Sequence, residues 1–399
     1  MNSYNYGTPG RFRYLKEETV NSSKNLQQNN QNNNKKNLDN ECFDLFRDLN
    51  CSRNTYQHIH SFVLVVQTFQ KWINSPIIVT FATTQTAIFE VPFPAITICP
   101  EIKTDRFIFN YTDIYLKKEN NENITSLEDA GFNYMSLICD TPSELLSGNN
   151  TILNGSLPLL YFMLVSPEFD EYTYEMKWRG QKLQNISEAF STILTSEGVC
   201  YTFNIMDRTE IFTNIVSFPN VFFSTNGKSS KWSPETGYSE DADIDSYPRR
   251  TLLAGVKGGF SIQLFVLEHS IDYICGDSLQ GFKISLHPPG EIPRVKQNYF
   301  RLPLDQAVTA SVKPNMMTTS EDLRSYSPQE RQCYFVNEKK LKFFKIYSQQ
   351  NCLIECLTNF TLKTCECVNF HMPREETTPI CSAMNKECMD NAKVRLITR

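Results

Sequence analysis

Downstream of residue 75 the hydrophobic residues occur mainly in short runs rich in β-branched and aromatic side chains, separated by polar segments. Runs of this length and composition are typical of β-strands rather than helices. The predicted strands cover residues 77–81, 86–91, 95–99, 200–204, 260–266 and 281–287. We expect the runs near 77–99, 200–204 and 281–287 to pair in one sheet.

Prolines and polar stretches interrupt this pattern. Pro92 and Pro94 fix their own φ and exclude a helix, so residues 91–95 are predicted to form a rigid extended elbow. Residues 225–250 are polar and contain Asn226-Gly227, which predicts a long loop.

One segment, residues 348–363, has the periodicity of a helix. Its apolar residues recur at helical spacing, at Leu353, Leu357 and Phe360. Ser348 is the expected N-cap, and Cys352 and Cys356 should share one face because they are four residues apart. Other helical signal is sparse, so the predicted fold class is α+β with strands predominating.

We expect no cleavable signal peptide in the N-terminal part. Residues 1–61 are polar, and the Asn/Gln/Lys tract at 25–37 is too poor in apolar groups to fold, which predicts a disordered tail. The apolar run from Phe62 to Val66 is far shorter than the ~20 residues that a membrane-spanning helix needs. By itself this run indicates a buried strand or a short helix.

Cysteines are the strongest compositional signal. Of 13 cysteines, 11 lie beyond residue 75, and seven of those lie between Cys333 and Cys388. This density indicates an oxidising compartment, outside the cell or in the secretory lumen. The odd number indicates either a fragment of a longer disulfide-bonded domain or one free or intermolecular thiol. A zinc site is the weaker alternative, because there is no Cys-x-x-Cys pair and only His371 is nearby.

Sequons for N-linked glycosylation accompany these cysteines and agree with a secretory compartment. The candidate sites are Asn110, Asn123, Asn149, Asn154, Asn185 and Asn359.

The net charge and the absence of catalytic motifs argue against a nucleic-acid-binding protein and against an enzyme. The formal charge of −5 excludes a general nucleic-acid partner. Residues 227–229 resemble the end of a phosphate-binding loop, but Phe222 stands where that loop begins with glycine. We therefore expect no enzyme, no cofactor, no catalytic residue and no metal ligand. An acidic run is either a solvated loop or a proton or calcium sensor. It consists of Glu240, Asp241, Asp243 and Asp245.

The run VPFPAITICP at residues 91–100 resembles the segment after the first membrane helix in the degenerin/epithelial sodium channel family. Residues 70–84 resemble the insect pickpocket branch of that family. The resemblance covers roughly residues 42 to 399. It continues at 198–204 and 281–289, and it is strongest at 347–356, 365–367, 371–373 and 381–388.

The resemblance implies an ectodomain shaped like a hand, with a β-sheet palm beside the membrane, a finger, and a thumb of disulfide-bonded helices. It implies three disulfides, namely Cys99–Cys200, Cys365–Cys388 and Cys367–Cys381. Cys139 and Cys275 are assigned to each other because they are left over. Three cysteines would bond to the second half of the thumb, expected downstream of Arg399. These are Cys333, Cys352 and Cys356.

The same resemblance implies a domain order. Residues 1–41 form a cytosolic tail, 42–61 a cytosolic pre-membrane segment, 62–74 a truncated first transmembrane helix, and 75–399 an incomplete extracellular domain. The second transmembrane helix and its selectivity filter are expected to be missing. The resemblance implies that His58 corresponds to the histidine of a family His-Gly pair that influences gating, although Ile59 follows it here. The alternative is that His58 is an ordinary polar residue of the N-terminal segment.

The predicted function is that of a subunit, or a fragment, of a trimeric amiloride-sensitive-type sodium channel in the plasma membrane. Its N-terminus would be cytosolic and its bulk extracellular. The implied partners are membrane lipid, sodium ions in the complete channel and homologous subunits. The alternative is a non-conducting ectodomain that binds or regulates full-length subunits.

Overall fold

The computed structural model describes residues 53–74, 86–147, 152–153, 155–225, 228–275, 279–316, 319–331, 333–335 and 338–397. These fall in two compact units. One contains the described residues before 84 together with 310–334, and the other contains those of 84–309 and 335–398. The predicted strand at 77–81 lies outside the described residues.

Nine α-helices occur in the described part of the chain. They are α1 (Arg53–Asn74), α2 (Tyr111–Glu119), α3 (Ser126–Met135), α4 (Leu157–Val165), α5 (Ile186–Ala189), α6 (Arg208–Ile211), α7 (Pro328–Arg331), α8 (Gln349–Cys365) and α9 (Lys386–Ile397).

Twelve strands accompany them in the same residues. They are β1 (Ala95–Pro100), β2 (Ile152–Leu153), β3 (Thr173–Trp178), β4 (Gln181–Lys182), β5 (Phe190–Thr195), β6 (Gly198–Phe203), β7 (Trp232–Ser233), β8 (Gly237–Tyr238), β9 (Phe260–Leu264), β10 (Phe282–His287), β11 (Phe300–Leu302) and β12 (Ile380–Cys381).

The larger unit is built on a five-stranded antiparallel sheet in the order β11-β10-β1-β6-β5. Every residue of β1, β6 and β10 is buried, and these strands are rich in β-branched and aromatic residues. The polar residues of β10, among them Lys283 and His287, are buried as well. Gly281 precedes β10 with a φ of 101°, and a Cβ there would collide with the carbonyl of Leu302. The prediction of one sheet containing the runs at 95–99, 200–204 and 281–287 is confirmed.

Aromatic side chains join this sheet to a three-stranded sheet in the order β4-β3-β9. The ring of Phe203, in β6, lies 5.4 Å from Trp178 and 4.7 Å from Phe260, measured between centroids. Phe190 of the neighbouring strand lies 5.9 Å from the same ring. Aromatic clusters of this kind bury large apolar areas, so the core lies between the two sheets.

The prediction of sparse helix was wrong, because α2, α3 and α4 follow one another between β1 and β3. Tyr111 of α2 stacks on Phe132 of α3, with ring centroids 5.0 Å apart. Helix α3 begins with a capping box in which Thr125 and Glu128 satisfy each other's backbone N–H groups. Phe162 of helix α4 packs against Phe370, with ring centroids 5.1 Å apart.

The predicted strand at 86–91 was also wrong. This segment contains a single 3₁₀ turn, Ile88–Glu90, and no strand of the described residues pairs with it. β-propensity has little effect without a neighbouring strand to supply a hydrogen-bonded ladder. The elbow that follows is extended and held by backbone contacts, since Phe93 N–H donates to the Arg249 carbonyl over 2.9 Å. The predicted loop at 225–250 contains one short hairpin, β7–β8.

Helix α1 includes the apolar run 62–66, and residues 60–71 are all exposed, so the interpretation of that run as a buried strand was wrong. Within the described ranges, no helix combines the length and the apolar character that crossing a membrane requires.

Candidate functional site: the disulfide-bonded helix pair and the central sheet

Helix α8 begins and ends at residues that its sequence explains. The Ser348 hydroxyl accepts a hydrogen bond from the backbone N–H of Asn351, which confirms the predicted N-cap. The helix ends at Cys365, and Glu366 follows in the left-handed region with a φ of 60°. The packed face differs from the apolar spacing in the sequence. It consists of the buried residues Asn351, Glu355, Thr358 and Thr361.

Two disulfides attach the end of α8 to its neighbours. Cys365 bonds to Cys388 of α9 with a Cα–Cα distance of 6.0 Å, and Cys367 bonds to Cys381 of β12 with one of 5.0 Å. Because both bonds lie within one turn of the helix end, α8 and α9 are covalently held as a pair.

The other end of α8 is bound to the body of the unit by hydrogen bonds. The buried Glu355 carboxylate accepts the backbone N–H groups of Lys342 and Phe343 over 2.9 and 2.8 Å. The Asn351 side-chain amide donates to the Gly290 carbonyl over 3.2 Å. Gly290 follows β10 by three residues, so the helix pair connects directly to the segment that leaves the central sheet.

The exposed face of α8 carries the unbonded thiols. Cys356 is exposed, Cys352 is half-buried, and neither has a disulfide partner among the residues that the structure describes. Cys333 is likewise unbonded within the described chain. The prediction that Cys352 and Cys356 stand on one helix is confirmed.

A disulfide and a chain of hydrogen bonds cross the middle of the central sheet. Cys99 of β1 bonds to Cys200 of β6, with Cα atoms 4.5 Å apart. Nearby, the Thr97 hydroxyl lies 2.8 Å from Thr202 Oγ1 and 2.8 Å from His287 Nε2. His287 Nδ1 lies 3.0 Å from the Pro288 carbonyl, which can only accept. Nδ1 therefore carries the proton, and Thr97 donates to Nε2.

This buried histidine predicts a pH dependence of stability. Burial lowers the pKa of His287 from 6.5 to about 4. Between these values the unfolded chain binds a proton that the folded chain does not, so the free energy of unfolding falls as the pH falls, by about 1.4 kcal/mol per pH unit for this group. Denaturant unfolding at pH 7, 6, 5 and 4 measures this slope. His287→Gln should make it shallower by about that amount, and an unchanged slope would contradict the prediction.

One end of the same sheet holds a buried network of charges. Glu197, in the turn between β5 and β6, lies 2.8 Å from Lys283 Nζ and 3.5 Å from Lys103 Nζ. Glu101, directly after β1, lies 2.5 Å from Arg301 of β11. Burial alone would raise the pKa of Glu197, but the two lysines outweigh it, and the pKa lies below its ordinary value.

The structure places the other predicted site residues as follows. Cys139 bonds to Cys275, so each of the four disulfides among the described residues joins a pair named in the sequence analysis. The acidic run lies in an exposed loop, where Asp241 pairs with Lys231 over 3.0 Å and Asp245 pairs with Arg179 over 2.6 Å.

The sequons differ in their surroundings. Asn123, Asn185 and Asn359 are exposed. Asn110 is half-buried, and its side chain caps α2 by accepting the Asp113 N–H. Asn149 and Asn154 lie outside the described residues. His58 lies in α1.

Sequence reasoning missed the charge network and the anchor at Glu355. The partners that pair in this network are 86 to 200 residues apart in the chain, so no local sequence pattern predicts their contacts. The sequence gives a weak indication of the anchor at Glu355. Its carboxylate stands at helical spacing with Asn351 and Thr358, which indicates a polar contact face.

Sequence comparisons identify a family and several relatives. The family model described as "Amiloride-sensitive sodium channel" matches residues 58–398. Pickpocket protein 28 of Drosophila melanogaster is 27% identical over 353 residues, which cover 84% of this chain and 55% of that protein.

Two further relatives are more distant. Sodium channel protein Nach of Drosophila ananassae is 22% identical over 352 residues, covering 84% of this chain and 60% of that protein. Human acid-sensing ion channel 2 is 25% identical over 226 residues, covering 54% of this chain and 34% of that protein. The chain thus spans less than two thirds of the length of each of these curated relatives.

Proposed function

The chain belongs to the amiloride-sensitive sodium channel family, and from this premise we propose that it takes part in sodium transport across the plasma membrane as a subunit of a trimer of homologous chains. The family and the similar proteins are ion channels, not enzymes. The match over residues 58–398 is the observation that carries the proposal.

The proposed architecture is that of the family's hand-shaped ectodomain. The central sheet would be the palm, helices α2 to α4 would belong to the finger, and α8 and α9 would form the thumb. Residues 75–399 would then lie outside the cell, 42–61 would be the cytosolic pre-membrane segment after a cytosolic tail at 1–41, and 62–74 would contact membrane lipid.

The proposed mechanism is transmission of movement from the helix pair to the sheet. The disulfides Cys365–Cys388 and Cys367–Cys381 hold α8, α9 and β12 as one body. A stimulus that displaces this body pulls on the backbone at Lys342, Phe343 and Gly290 through the anchors of α8. In the complete channel sodium then moves down its gradient, with no chemical step.

Two smaller assignments accompany the proposal. Asn123, Asn185 and Asn359 are exposed, as N-linked glycans on an extracellular surface require. Glycosylation of Asn110, Asn149 and Asn154 stays a prediction. A gating role for His58, in the proposed pre-membrane segment, also stays a prediction.

The test is coexpression of the chain with a full-length subunit of the family in oocytes, followed by voltage clamp and copurification. We expect copurification and a changed amiloride-blockable sodium current. The matched control, Cys365→Ser with Cys388→Ser, should still copurify through the rest of the ectodomain but alter the current less. A chain that reaches the surface, binds no related subunit and changes no current would reject the proposal.

The alternative function is that of a non-conducting ectodomain that regulates full-length subunits. In the same experiment it predicts copurification with a current that is reduced and has the partner's own ion selectivity. A new sodium selectivity in the mixed channel would instead assign the chain to the conducting assembly.

A further inference from the structure

Arg374, which lies between α8 and β12, has a guanidinium group that the protein encloses. Only 1% of the residue is exposed, and no carboxylate of the described residues forms an ion pair with it. The exposed carboxylate of Glu376 acts on it only from a greater distance. A buried charge without a partner keeps the cost of its desolvation, so a negative charge bound here would stabilise the fold.

The hydrogen bonds of this guanidinium are long and leave one N–H unused. Nη1 donates to the carbonyls of Glu375 and Thr378 over 3.4 and 3.5 Å, and Nη2 donates to that of Gly155 over 3.2 Å. Nε has no partner among the residues that the structure describes. Nε and Nη2 form the edge through which an arginine binds carboxylates and other oxyanions with two parallel N–H groups. That edge lies beside Gly155.

Gly155 leads directly into α4, whose N-terminus has no side-chain cap. Ser156, the N-cap residue, makes no capping hydrogen bond through its side chain, and the first turn contains no Asp or Glu. Pro158 has no N–H, so Leu157 and Leu159 supply the first-turn donors that lack an acceptor within the helix. These N–H groups and the helix dipole favour an anion. Pairing of β2 with β12 holds this helix end near the segment of Arg374.

We propose that Arg374 and the N-terminus of α4 bind a small monovalent anion, either a halide or a planar oxyanion of the carboxylate or bicarbonate type. The anion accepts the Nε–H of Arg374 and the first-turn N–H groups of α4, and it neutralises the buried guanidinium. The ligand must be small because Arg374 is enclosed. The site opens at Gly155, which is exposed and where an added side chain would meet no atom within 4 Å. The inference does not depend on sodium conduction.

The experiment compares urea unfolding of the purified chain in sodium chloride, sodium formate and sodium gluconate at equal ionic strength. An anion that binds only the folded chain lowers the unfolding equilibrium constant by about tenfold at ten times its Kd. We expect chloride or formate to cause this saturable decrease relative to gluconate, which is too large for the site. A larger effect of formate would identify a planar oxyanion, and a larger effect of chloride would identify a halide.

Two arginine variants show whether the effect arises at this site. Arg374→Gln keeps an amide donor but removes the charge, so it should abolish the difference between the salts. Arg179→Gln is the matched control, because Arg179 has its own carboxylate partner, Asp245 at 2.6 Å, and the variant should keep the full anion effect. Equal anion dependence in the two variants, or no saturable difference between the salts, would overturn the inference and leave general screening by salt as the explanation.

A second pair of variants tests the site even if Arg374→Gln does not fold. Ser156→Asp places a carboxylate at the N-cap of α4, and Ser156→Asn supplies a capping oxygen without the charge. In gluconate, Ser156→Asp should lower the unfolding equilibrium constant about fivefold relative to Ser156→Asn and should no longer respond to chloride or formate. Both substitutions remove the sequon of Asn154, so both are made in an Asn154→Gln background. Equal stability of the two variants would show that this helix end does not favour negative charge and would contradict the proposal.

Discussion

Removal of the Cys99–Cys200 disulfide, by Cys99→Ala with Cys200→Ala, is expected to lower the free energy of unfolding by about 5 kcal/mol. The bond joins two adjacent strands of the central sheet, and its cysteines are 101 residues apart. Without it, the unfolded chain recovers the conformational entropy that closing so long a loop had removed. Denaturant unfolding of the purified protein measures the loss.

The Cys367–Cys381 bond provides the comparison, because its cysteines are only 14 residues apart. Cys367→Ala with Cys381→Ala should cost about 3 kcal/mol. Cys352→Ala removes no disulfide of the described chain and should cost less than about 1 kcal/mol. If the short loop proved as costly to open as the long one, loop closure would not be the source of the stabilisation.

Substitution Glu197→Gln is expected to lower the free energy of unfolding by about 3–5 kcal/mol. It removes the carboxylate shared by Lys103 and Lys283, whose side chains are both buried. Among the described residues, the other carboxylate of this network is that of Glu101, which lies 3.8 Å from Lys283 and already pairs with Arg301 at 2.5 Å. A buried charge that loses its partner keeps the full cost of its desolvation.

The surface offers a matched control with the same chemistry. Glu175 is also shared by two lysines, Lys177 at 2.5 Å and Lys182 at 3.5 Å, but the side chains of these lysines are 44 and 64% exposed. Glu175→Gln should therefore cost only ~0–1 kcal/mol. Equal losses from the two substitutions, measured by denaturant unfolding, would show that burial does not strengthen the network at Glu197.

The parts of the fold that sequence analysis predicted are those that local chemistry determines. The strand beginning at Ala95 is mostly apolar and β-branched, the strand beginning at Phe282 alternates apolar and polar residues, and Ser348 caps a helix with its own hydroxyl. The missed helices had weaker local signals. Helix α4 is apolar on every side and shows no period, whereas the Thr125–Glu128 capping box of α3 was visible in the sequence.

The candidate site was predictable only in its covalent part. The family resemblance named Cys365–Cys388 and Cys367–Cys381, because their spacing is part of a recognisable motif. The anchors of α8 were not predictable. The partners of Glu355 and Asn351 are backbone groups at Lys342, Phe343 and Gly290, and every residue has the same backbone groups. Only the tertiary structure selects which of them the side chains meet.

The polar contact face of α8 also determines how that helix can move. An apolar face lets two elements slide by small amounts, because dispersion depends weakly on direction. The hydrogen bonds of Glu355 and Asn351 weaken steeply with angle. Rolling the helix by one residue, ~100°, would break both and turn other side chains inward. A rotation of α8 that starts at its cysteine-bearing face would therefore be transmitted directly to residues 290 and 342–343, because the helix cannot turn without moving them.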